Sequence, residues 1–230
     1  MKLIEKHPMI MIVIGVMGIS LSSIFVKYSQ APSAVTAAWR LLWTVLLLIP
    51  AVSKKTIRQE LAQASTKLVL LSIASGLFLA IHFVLWFESL KHTTVAGSTT
   101  IVCTEVIWVC LGYCLFLKGK VTGKALAAIG VTVLGSVLIA ASDSLEGSGL
   151  YGDFLALLAA IAVAVYTLIG RTVRATVSTT VYTYIVYSAC AAVLTAVCLA
   201  QGFDLFGFFS FPHTPFFYFY TFLVFSFSFF

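Results

Sequence analysis

Two charged side chains stand inside long apolar stretches: Arg40 in "AAWRLLW" (37–43) and Glu105 in "TIVCTEVIWVC" (100–110). A histidine, His82, lies shortly before the run "WFESLKH" (86–92), which contributes Trp86 and Glu88. Such side chains could relay a proton, bind an ionised substrate or neutralise one another. A charge at the centre of a bilayer costs roughly 2.5–3.5 kcal/mol on insertion scales, and it persists where it faces a bundle interior or a water-filled cavity.

Each of these residues carries a functional and a structural reading. Arg40 can snorkel to the headgroups, or it can supply a counter-charge for Glu105 or for an anionic substrate group. Glu105 is too short to snorkel from mid-span. It reads as a proton or substrate site, as a buried pair with Arg40, or as a neutral buried carboxyl. Helical spacing puts Ser98, Ile101, Val102, Trp108, Val109 and Gly112 near its face, the polar, small and aromatic mixture expected of a cavity wall. Glu88 can pair with Lys91 one turn on, or line the mouth of a pathway. His82 reads as a satisfied packing residue or as part of that pathway. The candidate transport-pathway set is therefore Glu105, Arg40, Glu88, Trp86, Ser98 and His82. Ser72, Gly76 and Ala80 recur every fourth residue, a small-xxx-small face that lets helices approach closely.

The elements that must position these residues follow from composition. Of 230 residues, 61% are hydrophobic and 10% charged, whereas a soluble domain carries about 25% charged residues. The apolar residues fall into blocks of about 17–25, the length of a membrane-crossing helix, without the period-two alternation of strands. The sequence predicts an all-α, polytopic transmembrane helical bundle. Spans are expected near 8–26, 33–52, 68–90, 93–117, 125–141, 150–170, 179–200 and 215–230. The first block follows Lys2 and Lys6 like a signal peptide, but it is long and no small-x-small site closes it, so it reads as an uncleaved span.

With the N-terminus in the cytoplasm, Lys54, Lys55, Arg58, Lys67, Lys118, Lys120, Lys124, Arg171 and Arg174 join Lys2 and Lys6 inside. Lys27 and Lys91 fall outside, with Asp143, Glu146, Asp153 and Asp204. That Lys/Arg asymmetry sets the orientation. It also accounts for the formal charge of +6 without nucleic acid as a partner. Aromatic residues near span ends fit interfacial belts.

Cys103, Cys110, Cys114, Cys190 and Cys198 all lie in apolar blocks without zinc-ligand spacing, and they read as small apolar residues. The stretch "GSGLYG" (147–152) matches G-x-G-x-x-G but sits in a turn between spans, without the βαβ context that a dinucleotide site needs. No nucleophile–base or metal constellation marks an enzyme, and no cofactor is implied. "LSSIFVKYSQAPSAVTAAW" (21–39) and "YTLIGRTVRATVSTTVYTY" (166–184) share a hydroxyl or small residue late in a span, a basic end and a Ser/Thr-rich turn. Five spans separate their starts, which implies an inverted-topology repeat, an architecture common among secondary transporters.

Three stretches carry a family resemblance: "HFVLWFESLKHTTVAGSTTIV" (82–102), "KVTGKALAAIGVTVLGSVLIA" (120–140) and "YGDFLALLAAIAVAVYTLIGRTVR" (151–174). Over residues 8–200 the chain resembles the drug/metabolite transporter superfamily, specifically EamA-type permeases. The resemblance implies two inverted five-span repeats and transport of a small metabolite, amino-acid efflux included, without a cofactor. One branch of the family shares the "WFESL" run that holds Trp86 and Glu88. Similar proteins often read Gln-Pro where this chain has Glu105-Val106. Glu105 thus adds a charge, and Val106 removes an expected helix kink. A Lys-Glu pair that commonly ends span four reads Lys118-Gly119 here.

The expected domains are a first repeat over residues 1–142 and an incomplete second repeat over 143–230. After Gly202 the resemblance fades into "FFSFPHTPFFYFYTFLVFSFSFF" (208–230). T-rich codons in a wrong frame produce such a Phe/Ser-rich tail, so a truncated or frameshifted C-terminus is expected. The expected function is alternating-access transport; its alternative is a non-transporting fragment or interaction subunit. The expected location is the plasma membrane of a bacterial cell, with the bilayer and a small-molecule substrate as partners and homo-oligomerisation left open.

Overall fold

The computed structural model describes residues 31–144 and 149–205, together with the isolated positions 13, 17 and 24. The spans expected at 8–26 and 215–230 lie outside these residues. The described residues are helical and contain no strand. In chain order the helices are α1 (Ser33–Val52), α2 (Lys55–Gln63), α3 (Thr66–His92), α4 (Val95–Cys103), α5 (Glu105–Phe116), α6 (Gly123–Ser144), α7 (Leu150–Val173) and α8 (Thr179–Ala200). Ser and Thr start four of them: Ser65 accepts from Leu68 N, Thr94 from Gly97 N, Thr122 from Ala125 N and Ser178 from Val181 N. Each hydroxyl satisfies an amide that the helix start would leave bare.

Five stretches are long and apolar enough to cross a membrane: α1, α3, α4 with α5, α7 and α8. Exposure is inverted relative to a soluble bundle. On α3 the stripe Leu70, Ile73, Leu77 and Ile81 is exposed, while Ser72, Ser75, Gly76 and His82 are buried. These small and polar groups are buried beside Leu79, Phe83 and Phe87, and an apolar outside around an interior that admits polar groups is what a hydrocarbon solvent selects. The protein is a multi-pass membrane protein.

The expected span 93–117 is not one helix. It breaks at Thr104, between α4 and α5, with no proline present. Thr104 turns its hydroxyl back onto Ile101 O at 2.6 Å, and its amide bonds the same carbonyl at 3.0 Å. Ile107 N then bonds Thr104 O at 2.9 Å. These i→i+3 bonds tighten the turn, and hydroxyl back-bonding of this kind bends helices. The interruption that Val106 was expected to remove is therefore present, made by the residue on the other side of Glu105.

Packing runs in layers. Helices α3 and α7 form the central pair; α1 and α8 pack on α3 and on each other, whereas α4 and α5 pack on α7 and α6 rests against α4. The small-residue face of α3 meets α8: a Cβ added at Gly76 would stand 2.6 Å from Val186 O. At one end Ser33 Oγ donates to Glu88 at 2.7 Å, and Thr93 Oγ1 donates to Asp153 at 2.8 Å. At the other, basic end the Ser178 amide donates to Glu60 at 2.5 Å. This acceptor ties α2 to the start of α8, where the helix dipole favours a carboxylate.

Candidate functional site

Arg40 projects from α1 into the bundle rather than toward the headgroups, and only 7% of it is exposed. Its guanidinium carbon lies 4.4 Å from the centre of the Phe83 ring, 5.5 Å from Phe87 and 6.0 Å from Trp86. A cation over aromatic faces in a desolvated site gains about 2 kcal/mol or more. That gain offsets part of the burial that snorkelling would have avoided.

Trp86 and His82 complete this cluster. The His82 ring stacks on Trp86, with centroids 5.7 Å apart and planes at 26°. His82 Nδ1 is 3.0 Å from Ala159 O. A carbonyl only accepts, so Nδ1 carries the proton and Nε2 is free to accept in the neutral ring. The Trp86 indole nitrogen is buried and has no acceptor among the described residues. An indole N–H can only donate, and buried donors nearly always find a partner.

Glu105 is half-buried at the start of α5. It does not pair with Arg40: among the described residues the ion pairs are Glu88–Lys91 at 3.5 Å and Glu88–His92 at 3.3 Å. The counter-charge reading is thus corrected by packing, because α1 sits on the α3 and α8 side of the bundle and α5 on the α7 side. Ser98 is taken up elsewhere too. Its hydroxyl meets that of Ser89 at 2.5 Å, and Ser89 donates to Trp86 O at 2.7 Å. It braces the α3–α4 turn. Glu88, 39% exposed, holds Ser33, Lys91 and His92 together at the end of α3.

The six candidates therefore separate into three places. Arg40, Trp86 and His82 form one buried cluster, Glu88 and Ser98 stabilise the end of α3, and Glu105 stands at the helix break. A tyrosine group that sequence reasoning missed lies where α3, α7 and α8 meet. Ser75 Oγ meets Tyr182 OH at 2.6 Å and donates to Tyr166 O at 3.3 Å. The rings of Tyr166 and Tyr182 stack with centroids 6.5 Å apart. Tyr166 and Tyr187 pack, partly buried, against the hydrophobic core. Their sequence signal was tyrosine well inside a span, at 166 and 187, where belts at the membrane surface do not reach.

At the basic end a cavity of about 770 Å³ opens between α5, α6 and α7, bordered by Tyr113, Lys120, Arg171 and Arg174. Among the described residues no group of His, Cys, Asp and Glu could hold a metal ion. The cysteines are free; Cys190 and Cys198 are buried, and Cys103 and Cys114 are exposed on the outer surface of the helices.

The sequence model of the EamA-like transporter family covers residues 7–141. No curated protein matches the chain.

Proposed function

Because the chain belongs to the EamA-like transporter family, whose members move small molecules across membranes, we propose that it is a secondary transporter of a small metabolite bearing a carboxylate or similar anionic group. Amino acids, moved outward, are the first class to test. The observation that carries this reading is the Trp86 indole N–H, buried without an acceptor beside the Arg40 guanidinium. Both groups only donate, so the complement they fit is an acceptor with negative charge. His82 Nε2 adds an acceptor for an ammonium or hydroxyl on the same molecule.

The transport cycle in this reading is alternating access between two inverted units, one over residues 1–142 and a second from 143 onward. Helices α1 and α8 are the second helices of the two units. Their direct packing supports the reading, because corresponding elements meet at an internal two-fold axis. The end holding Lys54, Lys55, Lys120, Arg171 and Arg174 faces the cytoplasm of the cell, as the positive-inside bias requires. Glu105 couples transport to a proton: a half-buried carboxylate at a break in a span can exchange with water on one side and with the tyrosine group on the other.

The test is counterflow in proteoliposomes with a panel of amino acids and small carboxylates. Wild type exchanges at least one anionic or zwitterionic compound, and Arg40→Gln abolishes the exchange while the variant elutes as a folded species. Exchange of cations alone, or undiminished exchange by Arg40→Gln, refutes the anion site. Glu105→Gln is expected to transport without pH dependence; a full rate with the wild-type pH profile removes the proton-coupling role.

A further inference from the structure

The cavity at the basic end plays no part in the cycle proposed above, and its lining is of two kinds. Lys120 and the exposed Arg171 and Arg174 are its cations, and Val106, Val109 and Ile129 form its apolar wall. The described residues that line it include no Asp or Glu. We propose that this cleft binds an anionic phospholipid, with the phosphate among the three cations and the upper part of one acyl chain along the apolar wall.

The mouth is a constructed feature. Arg171 lies over the Tyr113 ring, its guanidinium carbon 4.1 Å from the centroid, and donates to the Tyr113 hydroxyl at 3.2 Å. One donor of the five is used, so the guanidinium is held in place with donors remaining for a phosphate. The chain after α5 turns sharply through Lys118, at a φ of 49°. This lets Gly119 N donate to Tyr113 O at 3.1 Å and brings Gly119 against the same ring. There a Cβ would stand 2.1 Å from the ring carbons. A side chain at this position would push the Tyr113 ring aside, and the turn brings Lys120 into the lining of the cleft with Arg171 and Arg174.

Position argues for a lipid over a soluble anion. Among the described residues α6 rests on α4 and not along α5, and between these two helices the cleft opens sideways. The neighbouring outer residues are apolar and exposed: Leu115 at 64%, Leu126 at 54% and Val131 at 71%. In a membrane that opening faces acyl chains. Basic pockets between helices at the interface select anionic headgroups, each cation adding about fivefold in affinity. A soluble anion would satisfy the cations and leave the apolar wall unfilled.

The proposal is tested on the full chain by native mass spectrometry from detergent containing phosphatidylglycerol and phosphatidylcholine with identical acyl chains. Phosphatidylglycerol is expected to be retained preferentially. Arg171→Gln with Arg174→Gln should weaken that retention roughly thirtyfold, leaving phosphatidylcholine unchanged. Lys55→Gln with Arg58→Gln removes two cations at the same end outside the cleft and should change it less than twofold. Ala125→Trp fills the cleft with its charges intact and should also displace the lipid. That variant keeps the question decidable if the double arginine variant misfolds. Equal retention of the two lipids, or retention unaffected by Ala125→Trp, overturns the site. Displacement of phosphatidylglycerol by millimolar glycerol phosphate would identify a soluble phosphate as the occupant and overturn the lipid assignment.

Discussion

Replacing Gly76 by alanine sets two effects of opposite sign against each other. Helix propensity favours alanine by about 1 kcal/mol. Packing opposes it, because the new Cβ would stand 2.6 Å from Val186 O and 2.9 Å from Ala189 Cβ, where ordinary contact begins at 3.4 Å. One opposing atom is backbone, so no side-chain rotation relieves the clash. Helices α3 and α8 must part by roughly 0.8 Å, a gap that forfeits a quarter to a half of each dispersion contact along the seam. Overpacking of this kind costs about 1–3 kcal/mol. The net expectation is a loss of up to about 2 kcal/mol, seen as a melting temperature in mild detergent lowered by up to about 8 °C. Gly130→Ala is the matched control, since nothing lies within 4 Å of its added Cβ; it should raise the melting temperature. Equal rises for Gly76→Ala and Gly130→Ala would refute the close α3–α8 contact and the packing role of the small-residue face.

Trp86→Phe keeps the aromatic wall and removes the orphan donor, so transport should fall about tenfold, the equivalent of one hydrogen bond to a charged group, while thermal stability changes by under about 1 kcal/mol; a proportional loss of both would reveal a packing role alone. Ser75→Ala and Tyr182→Phe should each cost about 1–2 kcal/mol, and the double variant less than their sum, because they share the 2.6 Å hydrogen bond; additivity in a chemical-unfolding cycle would exclude that bond. In a cysteine-less background, Lys120→Cys should resist a membrane-impermeant maleimide in intact cells and react in inverted vesicles. His92→Cys should behave oppositely, and the reverse pattern would overturn the orientation.

The helices were legible in the sequence because the bilayer imposes a length and a polarity on each of them. The expected 33–52 and 179–200 coincide with α1 and α8, and capping hydroxyls at 65 and 94 extend or trim the starts of α3 and α4 by a few residues. The break at Thr104 was not legible, because threonine usually continues a helix and the departure from a proline pointed the other way. Arg40, His82 and Trp86 were recognisable individually, but their convergence depends on how α1 rotates against α3. No periodicity within one span fixes that rotation. The pairing of Arg40 with Glu105 failed for the same reason: charge suggests partners, and the order of helices around the α3–α7 pair decides which of them meet. Ser33, which donates to the Glu88 oxygen that Lys91 also meets, is 55 positions away from it, beyond the reach of any local pattern.

The interruption at Thr104 also has a mechanical side. At 1.5 Å per residue, the 9 residues of α4 and the 12 of α5 are rods of about 14 and 18 Å. Neither alone reaches across about 30 Å of hydrocarbon. Thr104 is thus a pivot with a lever arm on each side. A swing of about 20° at a kink of this kind would carry the Phe116 end of α5 through about 6 Å, while Glu105, at the fulcrum, would hardly move. The charge would then sit at the still point of a bending span, and the cleft lined by Val106, Val109 and Tyr113 would take its width from the angle at Thr104.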